Sequence, residues 1–586
     1  MRQVSFVVRS ALKIKHCGYR LLLCGALLVL AGCNKGGGSD DGGSGNTAGF
    51  TVSTASTSGG SLSPSSQSVD LGNTANLTVT PDSGYAIAAV TGCSGSLNGT
   101  LYTTGSITAD CTVSASFVQT FTVSASAGAG GNISPSSSLI NAGSSTALTL
   151  TPDNGYAIDT VTGCGGSLSG TTYTTGSITA DCTVSASFIQ TFTQANCPAL
   201  GPATGNPVHV SNVSELVSAV NNAQSGDAIL LADGVYALNG NYLWIASPNV
   251  ELRSASGNRD AVVLDGNYQS TEIVTIAANN VTVADLTIRE AYTHPIHVVT
   301  TGADVTGTLI YNVHITDPRE QGIKINPGTP GTYVDDGVIA CSTIELTDTG
   351  RPNVSGCYTG GVDAHQARGW VIRDNVIQGF WCDTGLSEHG VHCWRGCRDT
   401  VVERNQFIDN ARGVGFGLAT SGTARTFTDD PCPGVTGYVG HYGGIVRNNF
   451  IFASDPDLFN SSSGFDSGIS FWSACNAKAV HNTVVSTGNN FSSIEWRFPN
   501  SVNIEVANNI VTHSLNARDG AVASLVGNLE NASLSLFVNG STGNLHLASG
   551  ANSAINQGVS LAQGLCTDDI DGDTRDANPD VGADEY

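Results

Sequence analysis

The stretch NNVTVADLTI at residues 279–288, with its later look-alikes, decides the fold. These are YNVHITD (311–317), CSTIELTD (341–348), DNVIQGF (374–380), RNQFIDN (404–410), NNFIFAS (448–454), HNTVVSTG (481–488) and NNIVTHS (508–514). Each sets an Asn, Cys or Thr anchor before an alternating apolar stretch, then a turn and a second short strand that opens with Gly. Aligned on Asn280, Asn312, Thr343, Asn375, Asn405, Asn449, Asn482 and Asn509, the steps are 32, 31, 32, 30, 44, 33 and 27 residues. Short strands recurring at intervals of about 20–50 residues mean a stacked solenoid. No segment reaches helical length with a 3.6-residue period. The reading is all-β: a parallel β-helix whose coils bury a narrow apolar core and leave one long face for a linear ligand.

The second strand of each coil carries the chemistry. The strands are PIHVV (from Pro295), GIKIN (from Gly322), GVDAH (from Gly361), GVHCW (from Gly390), GVGFG (from Gly413), GISFW (from Gly468) and SIEWR (from Ser493). Strand side chains alternate between faces. Ile323/Ile325, Val362/Ala364, Val391/Cys393 and Val414/Phe416 therefore point inward. Two outward columns remain. One is His297, Lys324, Asp363, His392, Gly415, Ser470 and Glu495. The other is Val299, Asn326, His365, Trp394, Gly417, Trp472 and Arg497. With coils about 4.8 Å apart, Lys324, Asp363 and His392 form one ladder toward water, flanked by Asn326, His365 and Trp394. The bare step at Gly415 and Gly417 leaves room for a ligand. Trp394, Trp472, Trp370 and Trp381 suit stacking on sugar rings. The insertion from about Leu418 to Gly440 sits where a substrate lid would.

The opening NVSELVSAVNNAQSGDAILLADGVYAL (212–238) places Asn212 as an N-cap with Glu215 three residues on. Leu216, Val217 and Val220 form the apolar stripe of a helix that plugs the end of the core. This opening resembles secreted right-handed parallel β-helix proteins such as polysaccharide lyases and pectin-acting enzymes. The C-terminal DIDGDTRDANPDVGADEY (569–586) resembles a terminal segment of such surface proteins. Asp569, Asp571 and Asp573 are spaced as in a calcium loop, but Thr574 stands where Gly is needed, so a polar end-cap is expected. VDAHQARGWVIRDNVIQGF and GVHCWRGCRDTVVERNQF look like the central coils of the chondroitinase B and alginate lyase group. Counted back from Asn375 and Asn405, His365 falls at that family's Lys position and Arg395 at its Arg position. Counted from the strand starts, His365 falls beside Trp394. The resemblance implies a polysaccharide lyase, with calcium left open as a cofactor.

Elimination needs a base, a neutraliser for the uronate carboxylate and an acid for the leaving oxygen. Lys324, His365 or His392 supplies the base; Arg395 or Lys324 neutralises. Asn326, Trp394, Trp472 and Arg497 are the candidate substrate-binding residues. Hydrolysis needs two carboxylates flanking the bond, and Asp363 has none in the adjacent columns unless Glu388 or Asp383 folds over on its loop. The expected function is β-elimination on a uronate-containing glycan. The alternatives are a non-catalytic glycan-binding or adhesive protein and a glycoside hydrolase. The pairs His294/His297 and His389/His392, three apart, are expected on opposite faces of their strands and so carry no metal. CWRGC, with Cys393 and Cys397, lacks the second half of a zinc site.

The ends speak of export. Arg2, Arg9, Lys13, Lys15 and Arg20 precede an apolar run from Leu21 to Leu30, too short for a comfortable span. Leu30–Cys33 resembles a bacterial lipobox, which implies cleavage before Cys33 and its lipidation. Asn34 then suggests the outer membrane. The expected boundaries are leader 1–32, Gly/Ser/Asp tether 33–49, β-modules 50–120 and 121–191, linker 192–206 and β-helix 207–586. Loss of the leader takes the formal charge from −24 to −29, which disfavours nucleic acid and anionic membrane as partners. A cell-surface monomer with a polysaccharide partner is expected.

The two modules are copies 71 residues apart, as TPDSGYAIAAVTGCSGSL and TPDNGYAIDTVTGCGGSL illustrate. Their Thr/Val/Ser alternation reads as small β-sandwiches. Cys93/Cys111 and Cys164/Cys182 should be disulfides within each module. The modules read as stalks or as carbohydrate- or partner-binding units. Nine cysteines from Cys197 to Cys566 leave one unpaired, with Cys341–Cys357 and Cys397–Cys432 as candidate staples.

Overall fold

A computed structural model describes residues 49–128, 131–152, 156–190 and 197–586. The leader, Cys33, nearly all of the tether and the first residues of the linker lie outside the described residues. The chain divides at Thr120 and Phe121 into two compact units.

In the first unit, Gly49–Ser56 pairs antiparallel with Ser66–Asp70 and parallel with residues 111–115. A second, antiparallel sheet holds Gly60–Ser63, Asn76–Pro81, Leu101–Thr103 and Ser96–Asn98. Val52, Val69 and Val113 from one sheet meet Leu77, Val79 and Tyr102 from the other in one core. Cys93 and Cys111 are disulfide-bonded, as are Cys164 and Cys182 in the corresponding β-segment of the second unit.

The rest of the second unit is a right-handed parallel β-helix. Three parallel sheets of 12, 10 and 10 strands run along it. Successive coils pair in register without exception along the third sheet, from Leu243–Ile245 to Leu515–Arg518. The helix Val213–Asn221 closes the first coil: the Asn212 side chain accepts from the Glu215 N–H, and Leu216 and Val220 are buried on the core. Ile323, Ile325, Val362, Val391, Val414, Phe416, Ile469 and Ile494 fill the interior with no more than trace exposure.

An asparagine ladder locks the turn between the first two sheets. Asn375, Asn405, Asn449, Asn482 and Asn509 each pass an amide N–H to the next side-chain oxygen at 2.9–3.0 Å, and the ladder ends at Asn528. The same oxygens accept backbone N–H groups, so the buried amides satisfy the backbone where strands end. Three anchors of the sequence alignment fall off this ladder; in the coil of Thr343 it is Ser342 whose N–H donates to the Asn375 side-chain oxygen, at 2.9 Å. Asn312 takes φ 49°, the left-handed position held in later coils by Cys341, Asp374, Arg404, Asn448, His481 and Asn508, so Val313 rather than Asn312 is level with the ladder. Asn280 belongs to a different turn, bonded to Asn249 at 3.1 Å. Asn tolerates the left-handed region, and an Asn in that position looks in sequence like a ladder Asn.

Beyond the modules the disulfides are Cys197–Cys341, Cys357–Cys382 and Cys432–Cys475, which overturns the pairings Cys341–Cys357 and Cys397–Cys432. Cys341 lies in the turn between the first and second sheets, Cys357 on a loop entering the third. Cys397 points inward, its Sγ 3.2 Å from the Trp394 carbonyl. Of the nine cysteines from Cys197 to Cys566, Cys393, Cys397 and Cys566 are free, three rather than one. Trp370 and Trp381 are buried rather than displayed. Trp370 donates to the Val334 carbonyl and occupies the space that a side chain at Gly337 would fill; Arg351 covers the Trp381 ring at 3.7 Å. The 418–440 insertion is pinned rather than free. Arg425 reaches Asp335 at 2.7 and 2.9 Å and stacks on Tyr333, and Cys432 is tied to Cys475. Near the C-terminus, Asp569 accepts the N–H groups of Asp571, Asp573 and Glu585, so backbone donors occupy that carboxylate. No helix among the described residues is long and apolar enough to cross a membrane.

Candidate functional site

The third sheet brings the predicted column together. Thr275, His297, Lys324, Asp363, His392, Gly415, Ser470 and Glu495 stand opposite one another on successive strands. Their inward neighbours are apolar, so the column points out of the coil. It does not face open water, however. Lys324 keeps 7% of its exposure, Asp363 1%, and His392 and Glu495 none. The loops before each strand fold back over the column and carry Tyr358, Glu388 and His389 with them.

A bend explains how. At the opening of several of these strands the pairing skips a position: Gln321 pairs with Gly360 and Ile323 with Val362, and Arg412 with Ser467 and Val414 with Ile469. At Gly361 a Cβ would lie 2.7 Å from Ile377 Cγ2 and 2.4 Å from the Gly390 carbonyl. Strict alternation fails across this bend, so residues three apart both point outward. His389 and His392 therefore have ring centroids 4.6 Å apart, and His294 and His297 5.8 Å apart, against the expectation that each pair splits. The gap expected at Gly415 is filled by the His389 ring: a Cβ on Gly415 would lie 2.5 Å from its Nε2. That nitrogen is 2.8 Å from Ser470 Oγ.

At the column's centre Lys324 Nζ pairs with Asp363 Oδ2, and stands 3.1 Å from Tyr358 Oη and 3.3 Å from His365 Nε2. His365 Nε2 is 3.1 Å from the same Asp363 oxygen, and Trp394 Nε1 donates to the other at 2.9 Å. Burial alone would raise the Asp363 carboxyl, but the His365 hydrogen bond and the surrounding positive charge hold it well below the usual carboxylate range. Burial opposes charge on Lys324 as well, yet Asp363 and Tyr358 outweigh it and raise the ammonium, which stays cationic. Burial, with the charges of Lys324 and Arg395, lowers His365 and favours a neutral imidazole. Burial and the Asp363 charge raise Tyr358, which keeps its proton. A fixed cation, a neutral imidazole and a phenol thus converge within hydrogen-bonding reach. Tyr358 itself keeps 38% exposure and gives the cluster its opening to solvent.

The flanking residues divide. His365 pairs with Trp394, so the register counted from the strand starts holds. Arg395 lies one residue past that strand, exposed, its guanidinium 4.5 Å over the Trp394 ring. Asn326 Oδ1 meets His297 Nε2 at 2.8 Å, and His297 in turn meets Glu272 at 2.6 Å. Trp472 is half-buried and donates to Glu495; Arg497 lies over its ring at 5.1 Å and pairs with Asp519. Tyr358, Glu388 and His389 enter the site from loops. Of these, Tyr358 is marked in the sequence only by Cys357 beside it, whereas the loop of Glu388 does fold over the column, to 2.9 Å from His392 Nδ1. Next to the cluster, a cleft of about 750 Å³ is lined by Asp348, Arg351, Cys357, Trp381, Cys382 and Asp383, among others.

Fold and site together define a parallel β-helix with a buried, charged column under a loop-lined face. Residues 50–120 and 121–191 each match the family described as divergent InlB B-repeat domain. No curated protein matches the chain by sequence. Among solved structures, an alginate lyase from Paenibacillus sp. str. FPU-7 is 16% identical over 56% of this chain and 99% of its own, with a TM-score of 0.37. Pectate lyase Pel9A is 14% identical over 67% and 98%, at 0.40. A polygalacturonase from Erwinia carotovora ssp. carotovora is 13% identical over 56% and 97%, at 0.30. Likeness at this level concerns architecture and carries no argument about activity.

Proposed function

We propose that this chain is a polysaccharide lyase that cleaves a uronate-containing glycan by β-elimination. The observation that carries the reading is the convergence of Lys324, His365 and Tyr358 on one opening, with Lys324 held cationic by buried Asp363. Lys324 neutralises the uronate carboxylate and so acidifies the proton on the carbon beside it. Neutral His365 takes that proton. The Tyr358 phenol protonates the glycosidic oxygen as its bond to carbon breaks and the ring double bond forms. Half-buried Trp394 and Trp472, each with an arginine over its ring, line the face where neighbouring sugars would lie, and exposed Arg395 offers a second cation for a neighbouring uronate. His392 has no exposure and acts through its neighbours rather than on substrate.

Hydrolysis fits less well. It needs one protonated carboxyl as general acid. The two carboxylates beside His392 are Asp363 and Glu388, and both are held below their ordinary range: against burial, Asp363 by His365 and Lys324, Glu388 by His392. Disulfides in both units fit an oxidising compartment, in keeping with a lipid anchor at Cys33 and a tethered position at the outer membrane. The test is to incubate the mature protein with a panel of acidic and neutral glycans while following reducing ends and ultraviolet-absorbing unsaturated ends together. Elimination yields both in equal number. Binding without either product points instead to a glycan-binding surface protein.

A further inference from the structure

Glu388, His389 and His392 carry an electrostatic problem that the elimination reading does not resolve. One ligand-type atom from each lies within 4.8 Å of the other two. His389 and His392 are fully buried, at 1% and 0% exposure. His392 Nε2 is 3.2 Å from the Gly417 carbonyl. A carbonyl only accepts, so Nε2 carries a proton, and Nδ1 is the nitrogen turned toward the Glu388 carboxylate. That Nδ1 stands 2.9 Å from Glu388 Oε2, yet neither atom has a hydrogen-bond partner, because the approach lacks hydrogen-bond alignment. On the neighbouring ring, whose centroid is 4.6 Å away, His389 Nδ1 is also buried without a partner. Two buried imidazoles and a carboxylate thus crowd together with an unsatisfied polar atom on each, which costs free energy unless a cation lies among them.

The outer contacts suit a metal. Ligating histidines ordinarily donate their second N–H to a carbonyl or another oxygen acceptor. His392 does so to Gly417, and His389 Nε2 meets Ser470 Oγ at 2.8 Å. A pair of imidazoles with one carboxylate is a zinc-type donor set. Asp363 Oδ1, 3.8 Å from His392 Nδ1, is the next carboxylate oxygen in reach. Arg412 comes within 3.7 Å of Glu388 Oε2 but spends its N–H groups on the Ser387 carbonyl. Gly415 keeps the cradle open, since any side chain there would displace the His389 ring.

We infer that Glu388, His389 and His392 form a binding site for one divalent cation of the zinc class, buried behind the Lys324–Asp363 pair and holding the column in place. The inference does not rest on the elimination reading, because it concerns binding rather than turnover. The test takes the full mature protein, strips it with chelator, adds zinc chloride, dialyses, and measures metal per chain by elemental analysis. Cobalt substituted for zinc reports the coordination geometry by its visible spectrum. The expected result is one retained zinc per folded wild-type chain and a tetrahedral cobalt spectrum, with affinity falling more than about tenfold in Glu388→Gln and His389→Gln. Among the described residues a second trio, His546, Asp571 and Asp584, also gathers metal-type atoms, so His546→Gln is the control and should keep the zinc. Wild-type protein that stays metal-free overturns the inference, whatever the variants do. So does zinc that survives both substitutions, or that disappears only with His546→Gln. Circular dichroism on each variant separates loss of a ligand from loss of the fold.

Discussion

Replacing Asn405 by Ala should be among the most damaging single changes in the β-helix. Its amide oxygen accepts from the Asn375 backbone N–H at 3.1 Å and from the Asn375 amide at 2.9 Å. Its amide nitrogen reaches the Ile372 and Glu403 carbonyls and Asn449 Oδ1 at 2.8, 3.0 and 3.0 Å. Asn375, Asn405 and Asn449 are all buried, so water cannot replace what is lost. An unsatisfied buried donor or acceptor costs about 1–3 kcal/mol. With at least two groups orphaned, the expected loss is about 3–5 kcal/mol. Urea unfolding followed by tryptophan fluorescence reads this directly, since Trp370 and Trp381 are buried in the same coils. Asn279→Ala is the control: its side chain accepts only one exposed bond, from the Thr306 N–H, and its loss should cost under about 1 kcal/mol. Equal midpoints for the two variants would refute the ladder as a stabilising device.

Other outcomes follow from the same contacts. Gly415→Ala, in most strands neutral or helpful, should here destabilise by about 1–3 kcal/mol, because the new methyl falls on the His389 ring; an unchanged unfolding midpoint would contradict that packing. Acid should weaken the fold from the histidines outward. Burial lowers His441 and His481 to about 3 and, with help from Lys324, His294 to about 4, against 6.5 when unfolded. Their contribution is therefore whole above pH 6.5 and is lost as pH falls toward those values, by about 2 kcal/mol each at pH 5. Asp584, pushed up to about 6 chiefly by burial, works in the opposite sense and offsets part of it. A melting temperature flat between pH 7 and pH 5 would contradict the balance.

The architecture was legible because its signals are periodic. Apolar alternation fixed which residues line the core, and the strand-opening glycines fixed the register that sets Lys324, Asp363 and His392 side by side. What alternation could not supply was the bend at those same glycines. It turned His389 to the same side as His392 and filled the supposed gap over Gly415. Burial of the column was equally hidden, since the covering residues Tyr358 and Glu388 come from aperiodic loops. The cysteine pairings failed for a related reason: separation along the chain says little when a coil of about 30 residues returns each turn to its starting corner. Tryptophan was a poor guide to the surface, because Trp370 and Trp381 fill space between coils while Trp394 and Trp472 remain at the face.

The elimination account stands on His365 as the proton acceptor next to the Lys324 cation. The most direct measurement compares wild type, His365→Ala and Tyr358→Phe on whichever uronate glycan the wild type degrades, with unsaturated and reducing ends followed in parallel. The account predicts equal yields of the two ends from wild type, and a fall of at least about 100-fold in both for each variant, with the fold intact by circular dichroism. Reducing ends without unsaturation, or full activity in His365→Ala, would contradict it.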